Sequence, residues 1–421
     1  MGGDYYRTYS IAYLRISVYN LHQVNVHGWF LRVVRHQRRN RLVGAGIVLS
    51  MALAIGCVGA LLSIVRATFF QPLPIHEPER LLSLCTRVGG DARVFPMSFP
   101  NYEDLRDRSR SFTGITAFQA IEVSIGVHNP EVLWGQMVTS NFFAVLGSPL
   151  ALGRGFFPAE EREVGAHRVA VLNYRLWQRK FGGDPAVLGS SIYVDGHPYE
   201  VVGIAAKEFT GTGKLIEFQI WIPFGMHPEV FYWTSDVRKR DWQIFRVVGR
   251  LKPGVEISQA AQEVRTLFAG LVREYPGENA NQQADVTSLA DSSLGLNQKE
   301  RYLRVTFLLS AVTGLFFLLT CTNVVNLLLQ QALAQRQDLA VRLALGSRWG
   351  GIAGFLLFES TLLAVVGGIC GIGVAQGVRS LLWHLRPPEM QMAVTYPAID
   401  ARLMLVMLGI AVLCGLVVGF A

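Results

Sequence analysis

The sequence predicts an integral membrane α-helical protein with four transmembrane helices and a large α+β extracytoplasmic domain between helices 1 and 2. Only 17% of its 421 residues are charged and 51% are hydrophobic, whereas roughly a quarter of the residues of an average soluble domain are charged. The hydrophobic residues are concentrated in four long runs, and roughly 240 residues of mixed composition separate the first run from the second. This distribution excludes a disordered chain and an ordinary cytosolic protein.

The chain starts with a basic segment, residues 1–41, that carries seven arginines against one acid, Asp4. Residues 42–65 follow without a charge and exceed the roughly 20 residues that a helix needs to cross a bilayer. We expect transmembrane helix 1 here, with the basic segment in the cytoplasm because Lys and Arg favour that side. A cleaved signal peptide is the alternative, but its apolar region would be about half as long.

Residues 66–302 form the predicted extracytoplasmic domain. The pair Asp195-Gly196 separates two β-rich runs and supplies the positive φ angles of a two-residue hairpin turn. Two further strands are predicted at FQIWIPF and FRVVGRL. Strands and helices therefore alternate without a visible internal repeat.

Two segments of this domain show the apolar spacing of amphipathic helices. The first is predicted to stop at Gly182, and the second to begin at a capping Ser258 and to end before Pro276. The repeated apolar positions are Leu172, Leu176, Trp177 and Phe181 in the first helix and Val264, Phe268 and Leu271 in the second.

Residues 303–421 form the second predicted domain, with transmembrane helices at about 305–329, 352–378 and 403–420. Residues 331–350 form a loop that the topology places in the cytoplasm. The loop has an amphipathic helical pattern that ends at Gly346, and it contains Arg336, Arg342 and Arg348 against Asp338. Either it is a connector on the membrane surface, or it is a docking helix for a cytoplasmic partner.

Polar residues within these runs are informative because burying them in lipid is costly unless they face the bundle interior. Glu359 lies in the third run, and Asn323 and Asn326 lie near the inner end of the second at similar depth. A proton or ion relay is one interpretation. We favour interhelical hydrogen bonds, because a lone acid without further charged partners makes a poor path.

Four glycines of the third run have the spacing of close helix contacts, either within a subunit or between two. They are Gly367, Gly371, Gly373 and Gly377.

No motif for chemistry emerges from the sequence. The segment GTGKL at 211–215 is better interpreted as a loop glycine cluster than as a P-loop, since Lys214 is followed by Leu215. The acidic pairs Glu103-Asp104 and Glu160-Glu161 are interpreted as solvated helix faces, and the five cysteines supply no disulfide framework or metal pair. We expect a non-catalytic membrane subunit with no cofactor, metal or nucleic-acid site of its own.

Several long segments resemble a known family in the right order. The runs LLSIVRATFFQPLPIHEPERLLSL, FPNYEDLRDRSRSFTGITAF, VTSNFFAVLGSPLALGRGFFPAEE and VAVLNYRLWQRKFGGDPAVLGSSIYVDGHPYEVVGIA resemble the MacB-type periplasmic core domain. The run CTNVVNLLLQQALAQRQDLAVRLALGSRWGGIAGFLLFESTLLAVVGG resembles the FtsX-like permease domain. The resemblance covers about residues 30–421 and is most similar to the acidobacterial-type duplicated orphan permeases.

The resemblance implies a permease subunit of an ABC exporter of the mechanotransmission kind in a bacterial inner membrane. It implies four helices per unit, a homodimer or a pseudo-dimer with a second permease unit, a separate ATPase that binds ATP, and a periplasmic adaptor. The family's ATPase-coupling pattern maps onto Arg336, Asp338 and Arg342. Asp338 stands where Glu is usual, and Gln330-Gln331 where a basic residue is common, so nucleotide-driven coupling could be weakened.

Two further expectations concern an alternative function and the length of the permease. A membrane-anchored extracytoplasmic ligand-binding sensor is the alternative function, although the loop 331–350 is short for an output domain. The fourth apolar run reaches the last residue with no Lys or Arg behind it. We therefore expect the 421 residues to be one unit of a longer permease, with a natural four-helix protein as the alternative.

Overall fold

A computed structural model describes residues 41–420 with gaps at 67–68, 70–72, 74, 92, 129, 215, 232–236, 294, 335–348 and 386–399, and before residue 41 only residues 30, 33, 35 and 37. The chain divides into two compact units. The first, which we call the helical unit, comprises Met1–Ser63, Leu309–Leu382 and Ala398–Ala421. The second, which we call the sheet domain, comprises Ile64–Leu308 and Trp383–Pro397.

The described residues contain α-helices in both units. In chain order they are α1 (Arg41–Val65), α2 (Phe99–Arg108), α3 (Phe142–Leu146), α4 (Pro158–Arg162), α5 (Tyr174–Phe181), α6 (His227–Val230), α7 (Ile257–Glu274), α8 (Leu289–Ser292), α9 (Lys299–Ala334), α10 (Trp349–Leu385) and α11 (Ala401–Phe420). Short 3-10 turns lie at Pro78–Arg80, Pro185–Val187 and Phe224–Met226.

The strands lie between α1 and α9. They are β1 (Leu81–Val88), β2 (Phe112–Ile125), β3 (Glu131–Val138), β4 (Leu150–Gly153), β5 (Val169–Leu172), β6 (Ser191–Val194), β7 (His197–Ala205), β8 (Ile220–Pro223), β9 (Arg246–Leu251) and β10 (Gln282–Ser288).

Three helices of the described chain are long and apolar enough to cross a membrane: Arg41–Ser63, Lys299–Leu327 and Gly354–Val378. They lie within α1, α9 and α10 and match the first three predicted spans. The fourth predicted span, 403–420, lies in α11, whose described apolar stretch Ala401–Val417 is shorter than the other three. Three helices that could cross a membrane are thus present in the described chain, while a fourth crossing stays a prediction.

The core of the helical unit is built from large aliphatic side chains and small residues. It includes Ile47, Met51 and Ile55 of α1, Val324 of α9, Leu363 and Ala364 of α10, and Met407 and Ala411 of α11. Small residues let helix backbones approach closely, which is the usual packing of helices in lipid.

The sheet domain is built on one mixed sheet in the strand order β10-β1-β9-β2-β3-β8-β5-β7-β4, and β6 pairs with β2 and β7. Most neighbours are antiparallel, whereas β3 pairs with β8 and β5 with β7 in parallel. Two apolar clusters fill the domain, and the aromatic residues at their centres, Phe99 and Phe245 in one and Phe142 and Trp221 in the other, are fully buried. This confirms the α+β class of the domain.

The predicted hairpin is confirmed. Val194 of β6 faces His197 of β7, and the two turn residues have φ angles of 47° at Asp195 and 81° at Gly196. The Asp195 carboxylate also accepts a hydrogen bond from the Ser124 backbone N–H at 2.7 Å, which ties the turn to the end of β2.

Both predicted helices exist, but their starts were wrong. Leu172 belongs to strand β5, because Asn173 caps α5 by accepting a hydrogen bond from the Arg175 N–H. Helix α7 begins at Ile257, so Ser258 lies inside it and caps nothing. Its apolar face is as predicted, with Val264, Phe268 and Leu271 buried, and α5 ends at Gly182 in the left-handed conformation.

Candidate functional site

The residues predicted to couple the chain to an ATPase, Arg336, Asp338, Arg342 and Gly346, lie outside the described residues. Their assignment therefore stays a prediction. The described candidates are the polar side chains and close helix contacts of the helical unit.

Glu359 is the most buried ionisable side chain described in α10, with 3% of its surface exposed. Its Oε1 accepts a hydrogen bond from Gln37 Nε2 at 2.8 Å. The amide thus satisfies part of the buried carboxylate's demand for hydrogen bonds. Gln37 precedes α1 by four residues, and no feature of the sequence singled it out as the partner.

The two asparagines of α9 lie elsewhere. Asn323 is exposed and donates a 3.5 Å hydrogen bond to Ser50 Oγ of α1, and Asn326 is also exposed. The structure therefore pairs Asn323 with Ser50 of α1, whereas Glu359 bonds to Gln37. Similar depth in the sequence did not bring these side chains to one site.

The predicted glycine contacts divide into two pairs. A Cβ at Gly367 would lie 2.6 Å from Met51 Cβ, and one at Gly371 would lie 3.0 Å from the Ala52 carbonyl oxygen, so α10 packs closely on α1 there. A Cβ at Gly373 or Gly377 would meet no described atom within 4 Å. Contacts of these two glycines within the chain are thus not supported by the described residues, and contacts with a second subunit stay a prediction.

A contact between two cysteines was missed in the sequence. Cys321 Sγ of α9 lies 3.1 Å from Cys414 Sγ of α11, and both thiols are free. The two positions are 93 residues apart, and only the packing of α9 on α11 brings them together. Their place in separate apolar runs gave no signal of this contact.

The interpretation of Glu160-Glu161 as a solvated face was wrong. Glu160 is 5% and Glu161 is 8% exposed. The carboxylate of Glu160 pairs with Arg154 at 2.8 Å and accepts from the Phe157 N–H, while that of Glu161 accepts from the Ser140 N–H at 2.7 Å. Both lie in the first turn of α4, where unpaired N–H groups favour negative charge.

Among the acids of α2, burial raises the pKa of Glu103, and the charges of Arg238 and Arg106 oppose the rise. Asp104 pairs with Arg240 at 2.6 Å and with Arg108 at 2.8 Å. These acids hold loops and helices of the sheet domain together, and nothing in their contacts indicates a catalytic pair.

Comparison with protein families places two domains on the chain. The model of the MacB-like periplasmic core domain matches residues 45–267, more than half of the chain. The model of the FtsX-like permease C-terminal domain matches residues 310–421.

Curated relatives include the pyoverdine export ATP-binding/permease protein PvdT of Pseudomonas syringae pv. syringae, which is 24% identical over 67% of this chain and 39% of the relative. The macrolide export ATP-binding/permease protein MacB of Bradyrhizobium diazoefficiens is 24% identical over 85% of this chain and 52% of the relative. An uncharacterised ABC transporter permease, YknZ of Bacillus subtilis, is 24% identical over 52% of this chain and 51% of the relative. The chain thus spans about two fifths to one half of the length of these relatives.

Among solved structures, the periplasmic region of MacB from Actinobacillus actinomycetemcomitans aligns with a TM-score of 0.37 and 14% identity, over 54% of this chain and 94% of that structure. The two family matches cover residues 45–267 and 310–421 of the chain. The chain therefore belongs to the MacB/FtsX-type family of ABC transporter permeases.

Proposed function

We propose that this chain is the permease subunit of an ABC-type export or mechanotransmission system that couples a separate cytoplasmic ATPase to movement of its extracytoplasmic domain. The observation that carries the proposal is the order of the two matched domains, with a MacB-like domain at 45–267 followed by an FtsX-like domain at 310–421. An enzyme or a simple anchored receptor does not require the second domain.

The proposal includes a topology. Four helices, α1, α9, α10 and α11, cross the bacterial inner membrane, and the N-terminus and residues 331–350 face the cytoplasm. Residues 67–302 are periplasmic. The arginine bias of residues 1–41 and of the loop supports this orientation, because Lys and Arg next to spans favour the cytoplasmic side.

The proposal also includes partners. Two of the relatives are named ATP-binding/permease proteins, so their names combine ATP binding with a permease. For this chain we propose that a partner ATPase binds the ATP and docks on Arg336, Asp338 and Arg342. A second copy or a second permease unit completes the dimer, and a periplasmic adaptor joins outside. The two named cargoes, pyoverdine and macrolides, differ in chemistry and thus favour export in general over one cargo.

Affinity purification of the tagged full-length chain from native membranes tests the ATPase partner. We expect an ABC ATPase to copurify and Arg342→Glu to reduce its recovery at least about tenfold, since reversing a charge at a docking face opposes binding by several kcal/mol. Recovery is measured by quantitative mass spectrometry.

The matched control is Arg273→Glu, the same charge reversal at an exposed position of α7 in the sheet domain. It should leave ATPase recovery unchanged. Absence of any ATPase from the wild-type preparation, or equal recovery with Arg342→Glu, would contradict the proposal.

A further inference from the structure

Two short segments join the sheet to the membrane-spanning helices along the chain. The first connector, residues 75–80, follows α1, and the second connector, residues 289–293, precedes α9. Both lie against strand β9, which is paired with β1 on one side and with β2 on the other. Because successive side chains of a strand point to opposite faces, Arg246, Val248 and Arg250 share one face of β9.

Arg250 holds the first connector. Its Nη2 donates to the His76 carbonyl oxygen at 2.8 Å, and its Nη1 lies 3.7 Å from the Glu77 carboxylate. Its Nε donates to the Val145 carbonyl oxygen at 2.6 Å, so the same guanidinium also grips α3. Only the rigid fork of arginine can serve these separated acceptors at once.

Glu77 and Arg80 add a second attachment of the first connector to β9. Glu77 has a φ of 46°, an unfavourable backbone conformation for a residue with a side chain. Its carboxylate accepts from Arg80 Nη1 at 2.5 Å, and Arg80 Nη2 donates to the carbonyl oxygen of Leu251 at 2.7 Å. Arg80 therefore links the strained Glu77 to the last residue of β9, Leu251.

Arg246 holds the second connector. Its Nη2 donates to the Ser292 carbonyl oxygen at the end of α8, and its guanidinium lies over the ring of Phe118 at 5.7 Å. Its buried Nε has no hydrogen-bond partner among the described residues. Burial lowers the pKa of Arg246 to about 10.

Both connectors also contribute apolar side chains to the buried cluster that contains Val248, which lies between the two arginines. Val248, Ile75 and Leu289 belong to one buried cluster, and α8 contacts the turn Pro78–Arg80. The segment that follows α1 and the segment that precedes α9 are therefore both held by arginines on one face of β9, a strand inside the sheet.

We propose that Arg246 and Arg250 are positioning residues that fix the two connectors to β9, so that this strand is where displacement of the membrane helices enters the sheet domain. The transmission of a displacement rests on the proposed function, because only a permease coupled to an ATPase would move its membrane helices in this way. The attachment itself is a property of the chain alone and can be tested without a partner.

Hydrogen exchange of the full-length chain in detergent, read by mass spectrometry, tests the attachment. We expect Arg250→Met to accelerate exchange about tenfold in residues 75–80 and to leave residues 289–293 unchanged, and Arg246→Met to do the reverse, because each loses hydrogen bonds from a charged donor to one connector. Arg250→Lys should give an intermediate effect on residues 75–80. Strands β5 and β7 should exchange as in the wild type.

The control is Arg168→Met, which removes an exposed arginine paired with Glu229 at 2.5 Å, and neither connector should respond to it. Faster exchange throughout the sheet in both methionine variants would show a merely structural role and overturn the proposal, as would unchanged connectors. If each methionine variant accelerates exchange only in its own connector but no ATPase copurifies with the chain, the attachment to β9 is supported and the proposed function is refuted. If an ATPase copurifies but neither connector exchanges faster in the variants, the proposed function is supported and the attachment is refuted.

Discussion

The carboxylate of Glu263 shows how one residue joins two elements of the sheet domain. It lies on α7 and accepts hydrogen bonds from the Arg110 and Ser111 backbone N–H groups at 2.8 and 2.9 Å and from Ser109 Oγ at 3.2 Å. Burial alone raises its pKa, but these hydrogen bonds outweigh burial and lower the pKa below its usual value. The folded state therefore favours the ionised form.

We expect Glu263→Gln to lower the free energy of unfolding of the sheet domain by about 1–2 kcal/mol at pH 7. A carboxylate with a depressed pKa stabilises the fold above its unfolded pKa of about 4.3, and that stabilisation disappears as the pH falls through the folded value. The difference between variant and wild type should thus shrink below about pH 4. Urea unfolding of the full chain in detergent at several pH values measures it. Glu278→Gln, at an exposed position, is the control, and a gap that stays constant with pH would contradict the assignment.

The contact between α1 and α10 depends on the absence of a side chain at Gly371. A Cβ there would lie 3.0 Å from the Ala52 carbonyl oxygen and 3.1 Å from Ile55 Cβ. We expect Gly371→Leu to destabilise the helical unit by about 1–3 kcal/mol through overpacking. Thermal unfolding of the purified chain measures the loss. Gly373→Leu, on the same helix with open space around it, should be tolerated, and an equal loss in both variants would refute this packing.

The contact between α9 and α11 can be tested through its cysteines. Cys321 Sγ and Cys414 Sγ are 3.1 Å apart as free thiols, so a mild oxidant such as diamide should join them in a disulfide with little backbone movement. We expect an intramolecular cross-link between α9 and α11 that mass spectrometry detects and reductant removes. Cys414→Ala should abolish it, and Cys370→Ala should leave it unchanged. Failure of the wild type to cross-link would show that the helices pack differently.

For the molecule as a whole, the proposed topology predicts which cysteines a membrane-impermeant thiol reagent reaches. In a cysteine-free background, His197→Cys beside the exposed hairpin turn should react in intact cells after outer-membrane permeabilisation, since residues 67–302 are proposed to be periplasmic. Ser347→Cys in the loop 331–350 should react only after the inner membrane is opened. Labelling of Ser347→Cys from outside, or no labelling of His197→Cys, would contradict the proposed topology.

The sequence by itself determined the features that depend on local pattern. Run length predicted three of the helices that are long and apolar enough to cross a membrane, because a bilayer imposes a minimum apolar length. Asp195-Gly196 predicted its hairpin, because few residue pairs tolerate two positive φ angles. The apolar face of α7 followed from helical spacing.

The tertiary structure alone decided which distant residues meet. Glu359 bonds to Gln37, 322 positions away, and Arg250 to His76, 174 positions away, because sheet order and helix packing, rather than spacing, bring these side chains together. Glu161 seemed solvated since its neighbours in the sequence are polar, but Ser140 and Arg106 cover it in the fold. Burial and pairing depend on chain segments that no local pattern relates, so the polar contacts of both units appear only in the folded chain.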